Sequence, residues 1–105
     1  MPVRVIRYRT KPECADENQR LIEAVFAELD QLGATGFAYA SFRLDDGVSF
    51  VHVVVEDGTD AAPSLGSLPA FQAFQAGIAE RCDEQPVAAG ATLIGSHRMV
   101  QSAST

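Results

Sequence analysis

Residues 37–56 read FAYASFRLDDGVSFVHVVVE, in which two runs rich in aromatic and β-branched residues flank the turn sequence DDG. Such runs favour strands, and a short turn of Asp and Gly between them predicts a β-hairpin with strands 37–44 and 48–56. The turn has either two residues, 46–47, or three, 45–47, with a bulge. The choice decides which residues share a face, because successive side chains of a strand point to opposite sides of the sheet.

A two-residue turn gives the hairpin one apolar face, which we expect to receive helices, and one mixed face. The apolar face comprises Ala38, Ala40, Phe42, Leu44, Val51, Val53 and Val55. The mixed face comprises Phe37, Tyr39, Ser41, Arg43, Phe50, His52, Val54 and Glu56. A three-residue turn instead places Tyr39, Ser41 and Arg43 on the opposite face from His52.

A strand and a helix are predicted before the hairpin. Residues 3–10, VRVIRYRT, read as a strand that stops before a proline. Asp16 and Gln19 have the spacing of a capping box, and the apolar residues that follow recur every three or four positions, which predicts a helix with one buried stripe. Gly33 supplies the left-handed residue that ends this helix. The stripe comprises Leu21, Ile22, Val25, Phe26, Leu29 and Leu32.

A loop and a second helix are predicted after the hairpin. Residues 57–67 are rich in Gly, Ser, Asp and Pro, which is typical of a loop. In residues 68–82, LPAFQAFQAGIAERC, Pro69 lies where a first helical turn tolerates a proline, and the apolar side chains have helical spacing. These side chains are Phe71, Phe74, Ile78 and Cys82.

The C-terminal part is expected to close the fold. Residues 83–90 read as a connection, residues 91–100, ATLIGSHRMV, as a last strand, and residues 101–105 as a flexible polar tail. The element order is then β-α-β-β-α-β within a single domain, 1–100. This order is typical of the α+β ferredoxin-like arrangement, an antiparallel sheet with two helices on one face and strand order 4-1-3-2.

The second face of this sheet also carries apolar side chains. The first and third predicted strands have aromatic or aliphatic residues at both alternating positions, whereas a sheet with one wet face alternates cleanly between apolar and polar residues. A lone domain of about this length buries only roughly 60–68% of its unfolded surface. We therefore expect a second copy of the chain to cover the second face, forming a homodimer.

Composition narrows the class of protein. The 105 residues are 47% hydrophobic and 21% charged, as expected of one compact domain, and the net charge of −6 disfavours nucleic-acid and acidic-membrane partners. No apolar run is long enough for a membrane span or a signal segment, so a cytoplasmic location is expected.

Cys14 and Cys82 lack CxxC spacing, so they are interpreted as reduced thiols. Nucleotide-binding and hydrolase motifs are absent from the sequence.

The whole run from VRVIRYRTKPE through ADENQRLIEAVFAEL and the hairpin FAYASFRLDDGVSFVHVVVED to TLIGSHR resembles the dimeric α+β barrel superfamily. Within it, the chain is most similar to antibiotic biosynthesis monooxygenase-like small proteins. The resemblance implies a homodimer with a pocket in each protomer and oxygenase activity on a small aromatic or quinol-type molecule, without a metal, flavin or other cofactor. The chain departs from the family pattern because it has no Trp and its single Asn, Asn18, lies in the first helix.

His52 is the best candidate for a general base, since an imidazole titrates near neutral pH and this one lies within an apolar strand. Its alternative role is that of a core or interface histidine whose nitrogens are satisfied by neighbours. With the two-residue turn, His52 lies opposite Ser41 and diagonal to Tyr39 and Arg43. We predict His52, Tyr39 and Arg43 as the catalytic residues. The predicted substrate-binding residues are Ser41, Phe50, Arg7 and His97.

A metal site shared by the two histidines is not expected. In strand order 4-1-3-2, one strand separates His52 from His97, which places them about 10 Å apart at a strand spacing of about 4.8 Å.

The sequence leaves two functions open. The first is a cofactor-free, monooxygenase-like enzyme, and the second is a non-catalytic small-molecule-binding or stress-related accessory protein.

Overall fold

The computed structural model describes residues 3–33, 36–56 and 65–99. These residues form one four-stranded antiparallel sheet with helices on one face. The elements are β1 (Val3–Thr10), α1 (Ala15–Leu32), β2 (Phe37–Arg43), β3 (Ser49–Glu56), α2 (Pro69–Gln75), α3 (Ile78–Arg81) and β4 (Cys82–Ala91), with 3₁₀ turns at Pro12–Cys14 and Leu65–Ser67. The strand order β2-β3-β1-β4 confirms the predicted ferredoxin-like topology.

The hairpin has the predicted strands and the register of the two-residue alternative. Ser41 lies opposite His52, and Arg43 opposite Phe50. The turn itself is longer than either alternative, because the last strand-like bond runs from Leu44 N to Ser49 O, 2.8 Å, and encloses four residues. Adding two residues to a two-residue turn preserves the alternation of the strands, so the mixed face remains intact.

The helices cover the mixed face, and the expectation that they would cover the apolar face is wrong. Tyr39 stacks on Phe26 of α1 with ring centroids 5.0 Å apart, and His52 contacts Phe74 of α2 at 5.5 Å. The mixed face carries the larger aromatic side chains, and these bury more area against helices than the valines and alanines behind them. The buried core comprises Tyr8, Ala15, Ile22, Val25, Phe50, Phe74 and Cys82.

Helix α1 ends as predicted and begins differently. Gly33 is left-handed, with φ 58°, and its N–H donates to the carbonyls of Leu29 and Asp30. At the other end, Cys14 is the N-cap and no side chain caps the helix, so the capping-box interpretation of Asp16 is wrong. Asp16 lies in the first turn, and its carboxylate instead pairs with Arg43, 3.1 Å away.

The predicted second helix is broken, and the last strand lies earlier than predicted. Helix α2 stops at Gln75, left-handed Gly77 (φ 78°) starts the single turn α3, and Cys82 already belongs to β4. The predicted connection 83–90 is therefore strand, whereas residues 92–99 follow β4 without regular structure.

Pro86 explains why the sequence pattern does not predict β4. A proline cannot donate to a sheet ladder and reads as a strand breaker, but β4 is an edge strand that pairs on one side only. The ladder with β1 also shifts register between Arg7, opposite Val87, and Arg9, opposite Glu84, so a bulge spans the proline. Long-range pairing to β1 thus overrides the local signal.

The apolar face of the sheet is left open by the helices. Val5 and Val53 are partners on this face, and Arg7 pairs with Val51 beside them. Val87 of β4 is 63% exposed. Among the described residues, no helix combines the length and apolar character needed to cross a membrane.

The predicted tail 101–105 and most of the predicted loop, 57–64, lie outside the described residues.

Candidate functional site

A chain of side-chain hydrogen bonds runs through the core from α3 to β3. The Nε of Arg81 donates to Oδ1 of Asn18 at 3.1 Å, and Nδ2 of Asn18 donates to the Tyr8 hydroxyl at 2.8 Å. The Tyr8 hydroxyl is in turn 2.8 Å from Nε2 of His52. All four residues are buried, each at most 6% exposed, so the chain links α3, α1, β1 and β3 through the core.

The second nitrogen of His52 continues the chain to the edge strand β2. Its Nδ1 is 2.7 Å from the Ser41 hydroxyl and 2.9 Å from the Tyr39 hydroxyl. Both ring nitrogens of His52 are therefore hydrogen-bonded to side chains. We name the set of Arg81, Asn18, Tyr8, His52, Tyr39 and Ser41 the buried chain.

Burial shifts the pKa values of the titratable groups along the buried chain. His52 is 3% exposed, and desolvation lowers the pKa of its imidazole to about 4, which keeps the ring neutral near pH 7. Desolvation also raises the pKa of the Tyr8 hydroxyl, an effect that the hydrogen bond from Asn18 partly offsets. The pKa of Tyr39 is raised for the same reason, with a hydrogen bond from the Ser41 hydroxyl acting against it.

Aromatic stacking holds the rings of the buried chain in place. Tyr8 stacks on Phe50 and His52, with centroids 5.5 and 5.4 Å away. Tyr39 stacks on His52 and on Phe26, with ring centroids 5.8 and 5.0 Å away. Near-parallel rings at these distances restrict rotation of the hydroxyl-bearing side chains, which fixes the geometry of the chain.

The buried chain reaches a cleft of about 260 Å³ between α1 and β2, which we call the α1–β2 cleft. Ser41 forms part of its wall, together with apolar side chains from both elements. Arg43 borders the same cleft, where its guanidinium donates to Gln19 at 2.6 Å and lies 5.7 Å from the centre of the Phe50 ring. The wall of this cleft is thus largely apolar, with polar groups at Ser41 and Arg43.

The structure brings together most of the predicted site residues. His52, Tyr39 and Ser41 are joined by hydrogen bonds, as expected from the register of the hairpin. Arg43 and Phe50 line the same cleft as Ser41. The predicted catalytic and binding roles of these five residues stay predictions.

Arg7 and His97 lie apart from this cluster. Arg7 pairs with Val51, so its side chain is on the open face, where it lines a separate groove of about 300 Å³ with Leu44 and Val87. His97 is exposed beyond the end of β4, and its predicted position on a strand is wrong. Because side chains alternate across a sheet, Arg7 is separated from His52 by the sheet itself.

Sequence reasoning missed Tyr8, Asn18 and Arg81 as members of the site. The available signal was a polar residue on an apolar helical stripe. Asn18 precedes Ile22 by four positions, and Arg81 follows Ile78 by three, so each shares the buried side of its segment. A buried polar side chain of this kind requires a partner, and the two satisfy each other.

Within the ranges that the structure describes, no three His, Cys, Asp or Glu side chains gather closely enough to hold a metal ion.

Comparison of the sequence with models of protein families and with curated proteins finds no match. Solved structures do match the fold. Rv0793 from Mycobacterium tuberculosis is 17% identical, with 91% of this chain and 98% of that chain covered and a TM-score of 0.70. A protein from Nitrosomonas europaea described as a candidate antibiotic biosynthesis monooxygenase is 11% identical, covering 90% of this chain and 100% of that chain with a TM-score of 0.74.

A point variant of SnoaB, described as a cofactor-independent oxygenase from Streptomyces nogalater, is a third similar structure. It is 16% identical, covers 90% of this chain and 94% of that chain, and has a TM-score of 0.64. At sequence identities this low, the similarity is limited to the fold. The chain therefore has the ferredoxin-like α+β fold found in antibiotic biosynthesis monooxygenase-like proteins, as its sequence resemblance predicted.

Proposed function

We propose that the protein is a cofactor-independent, monooxygenase-like enzyme that acts on a small aromatic or quinol-type molecule as a homodimer. The observation that carries the proposal is the α1–β2 cleft, where the Ser41 hydroxyl ends a buried chain beside an aromatic wall. One structural neighbour is described as a cofactor-independent oxygenase, which supports the class of reaction.

In this proposal, Ser41 and Arg43 contact the substrate. His52 positions the Ser41 hydroxyl, whereas Asp16 and Gln19 of α1 hold the guanidinium of Arg43. His52 has no free nitrogen and is almost fully buried, so it acts on a bound molecule through the hydroxyls of Ser41 and Tyr39. Dioxygen is the oxidant. One of its oxygen atoms enters the substrate and the other leaves as water with two hydrogens from the substrate, which supplies all four electrons. Phe50 and Phe26 provide the apolar surface against which an aromatic ring packs.

Oxygen consumption tests this function directly. Wild-type protein is mixed with a panel of quinols in air, and the oxygen consumed above the uncatalysed rate is recorded with an electrode. We expect catalysed consumption that falls at least tenfold in Arg43→Ala and stays unchanged in Arg20→Ala, which removes an exposed arginine of α1 that does not line the cleft. Equal rates in all three proteins would contradict the proposed role of the cleft.

A non-catalytic binding protein is the second candidate, and one observation favours it. Among the described residues, every buried polar side-chain atom has a hydrogen-bond partner, which is typical of a network that stabilises a fold. Native mass spectrometry of gently purified protein separates the two functions when it is combined with the oxygen assay. A dimer that carries a small molecule but consumes no oxygen with that molecule supports a binding protein.

A further inference from the structure

Gln19 of α1 stands between two opposite charges in the α1–β2 cleft. Its Oε1 accepts from Nη1 of Arg43 at 2.6 Å, and its Nε2 donates to Oε2 of Glu23 at 3.1 Å. A guanidinium only donates and a carboxylate only accepts, so the Gln19 amide satisfies both groups in this orientation alone. All three side chains line the cleft. Neither ion pair found among the described residues includes Glu23, so its carboxylate is linked to the arginine only through an amide.

Glu23 keeps acceptor positions that the protein does not use. The two oxygens of a carboxylate accept at about four lone-pair positions, and the bond from Gln19 occupies one of them, on Oε2. Within residues 3–33, 36–56 and 65–99, Glu23 makes no other side-chain hydrogen bond. Its Oε1 is therefore available to a molecule that enters the cleft.

Ser41, on the opposite wall of the cleft, gives its hydroxyl hydrogen to a neighbour within the fold. Its hydrogen bond with Tyr39 acts to lower the pKa of the Tyr39 hydroxyl, which is the effect of a bond that the phenol oxygen accepts. Ser41 is therefore the donor in that pair, and a serine hydroxyl has a single hydrogen to donate. Toward the α1–β2 cleft, Ser41 presents lone pairs, so it acts as a second acceptor there.

Arg43 is the donor of the cleft, and it does not distinguish among ligand oxygens. Its Nε donates to the carbonyl of Gly47 at 2.9 Å, and its Nη1 donates to Asp16 and Gln19. What remains for a ligand is Nη2. Hydroxyl, ether and carbonyl oxygens all accept hydrogen bonds, so Nη2 serves the three groups alike. Discrimination among them therefore depends on Glu23.

From these acceptors we infer that Glu23 is a specificity-determining residue, which selects ligands that donate a hydroxyl hydrogen, such as phenols and quinols, over the corresponding ethers and quinones. The aromatic character of the ligand rests on the proposed function, whereas the preference for a donor rests on Glu23 and Ser41. An ether or quinone oxygen that faces Glu23 brings lone pairs together with no hydrogen between them. A quinone, which has lost the hydroxyl hydrogens of its quinol, therefore binds the cleft less tightly than the quinol does.

A pair of neutral probes tests the preference without adding charge to the cleft. 4-Methoxyphenol has one hydroxyl hydrogen, and 1,4-dimethoxybenzene is the same molecule with a methyl group in place of that hydrogen. Both are titrated into the wild-type protein in the absence of oxygen while the amide resonances of Ser41 and Phe26 are followed by nuclear magnetic resonance. We expect 4-methoxyphenol to bind at least about five times more tightly, because the ether loses a hydrogen bond to a charged group. Equal affinities, tighter binding of the ether, or binding of neither probe would overturn the inference.

A variant of equal size separates the hydrogen bond from the extra bulk of the ether. In Glu23→Gln the amide oxygen accepts from Gln19, so the NH₂ group faces the cleft and offers a donor where the wild type offers an acceptor. We expect the preference for 4-methoxyphenol to disappear or reverse in this variant. Glu17→Gln changes an exposed glutamate of α1 that does not line the cleft, and it should keep the wild-type preference. A preference that survives in Glu23→Gln would show that bulk decides it, and the inference would fail.

The oxygen assay and the probe titrations fail independently. A wild-type protein that prefers 4-methoxyphenol, loses this preference in Glu23→Gln and consumes no oxygen with any quinol refutes the oxygenase and leaves the role of Glu23 standing. A protein that consumes oxygen but binds the two probes equally well refutes the role of Glu23 and leaves the oxygenase standing.

Discussion

Arg81 and Asn18, 63 positions apart in the chain, meet in the core with Nε of Arg81 3.1 Å from Oδ1 of Asn18. The arginine is 6% exposed and the asparagine is fully buried. A buried guanidinium is tolerated only when its donors are satisfied, and here one amide oxygen and two backbone carbonyls accept from it. This contact joins the last helical turn to α1 and begins the chain that ends at Ser41.

Removal of the Asn18 amide should destabilise the protein strongly. Asn18→Ala leaves Nε of Arg81 without an acceptor and removes the donor to the Tyr8 hydroxyl, which keeps only His52, and we expect the free energy of unfolding to fall by about 3 kcal/mol. Gln31→Ala, which truncates an exposed amide near the end of the same helix, should change it by less than about 0.5 kcal/mol. Urea unfolding followed by circular dichroism measures both, and similar losses in the two variants would contradict a special role for Asn18.

In the wild-type protein Asn18 donates to the Tyr8 hydroxyl, which leaves the Tyr8 hydrogen for Nε2 of His52 and the ring hydrogen on Nδ1, and Asn18→Asp should reverse these hydrogen bonds. A carboxylate accepts from both Arg81 and Tyr8, so the Tyr8 oxygen becomes an acceptor for His52 and the ring hydrogen moves to Nε2. The imidazole nitrogen spectrum of the variant reports this directly. A ring that keeps its hydrogen on Nδ1 would show that Asn18 does not set the tautomer.

Stability should depend on pH through His52. Its pKa is about 4 in the folded protein against 6.5 for an unperturbed imidazole, so the unfolded chain takes up a proton first as the pH falls. The stabilisation is complete above about pH 7 and is lost between about pH 6.5 and 4, by up to about 3 kcal/mol.

The matched control for this pH dependence is His52→Gln, which cannot take up a proton at this position. Carboxylates titrate in both proteins, so the difference in free energy of unfolding between wild type and variant isolates the imidazole. We expect urea unfolding at several pH values to show this difference shrinking as the pH falls from 7 to 4. A difference that stays constant over this range would be incompatible with a neutral, buried His52.

A side chain at Gly77 should strain the start of α3. Gly77 has a φ of 78°, which residues with a Cβ rarely adopt, and we expect Gly77→Ala to cost about 1–2 kcal/mol. At Gly66 a Cβ meets nothing within 4 Å and no such φ is required, so Gly66→Ala should leave the unfolding free energy nearly unchanged. Thermal unfolding of the two variants provides the comparison, and equal melting temperatures would refute the expected strain.

A charge on the open face should prevent the expected homodimer. Val53 lies in the middle of that face, opposite Val5 of β1 and Ala40 of β2, and Val53→Arg would bury an unpaired charge between two copies. Analytical ultracentrifugation should show a dimer for wild type and a monomer for this variant. Ala27→Arg adds the same charge on the exposed side of α1 and should remain dimeric. A monomeric wild type would contradict the expectation that a second copy covers the sheet.

The helix-covered face of the sheet shows what local sequence patterns can and cannot predict. Alternation and turn chemistry correctly predicted the hairpin but left two registers open, of which the structure has the one that pairs Ser41 with His52. They could not show which face of the sheet the helices cover, because the covered face depends on how much surface the aromatic side chains of several elements bury together. Local patterns also misplaced β4, since Pro86 breaks a strand in isolation but is accommodated by a bulge on an edge strand.

The sequence by itself determined the order of the elements, the ferredoxin-like topology and the candidate residues His52, Tyr39, Ser41 and Arg43, because periodicity and turns are properties of neighbouring residues. Only the tertiary structure decided that Tyr8, Asn18 and Arg81 complete the site. Hydrogen bonds such as that between Arg81 and Asn18 join side chains from distant segments, and their partners are specified by packing in three dimensions rather than by spacing along the chain.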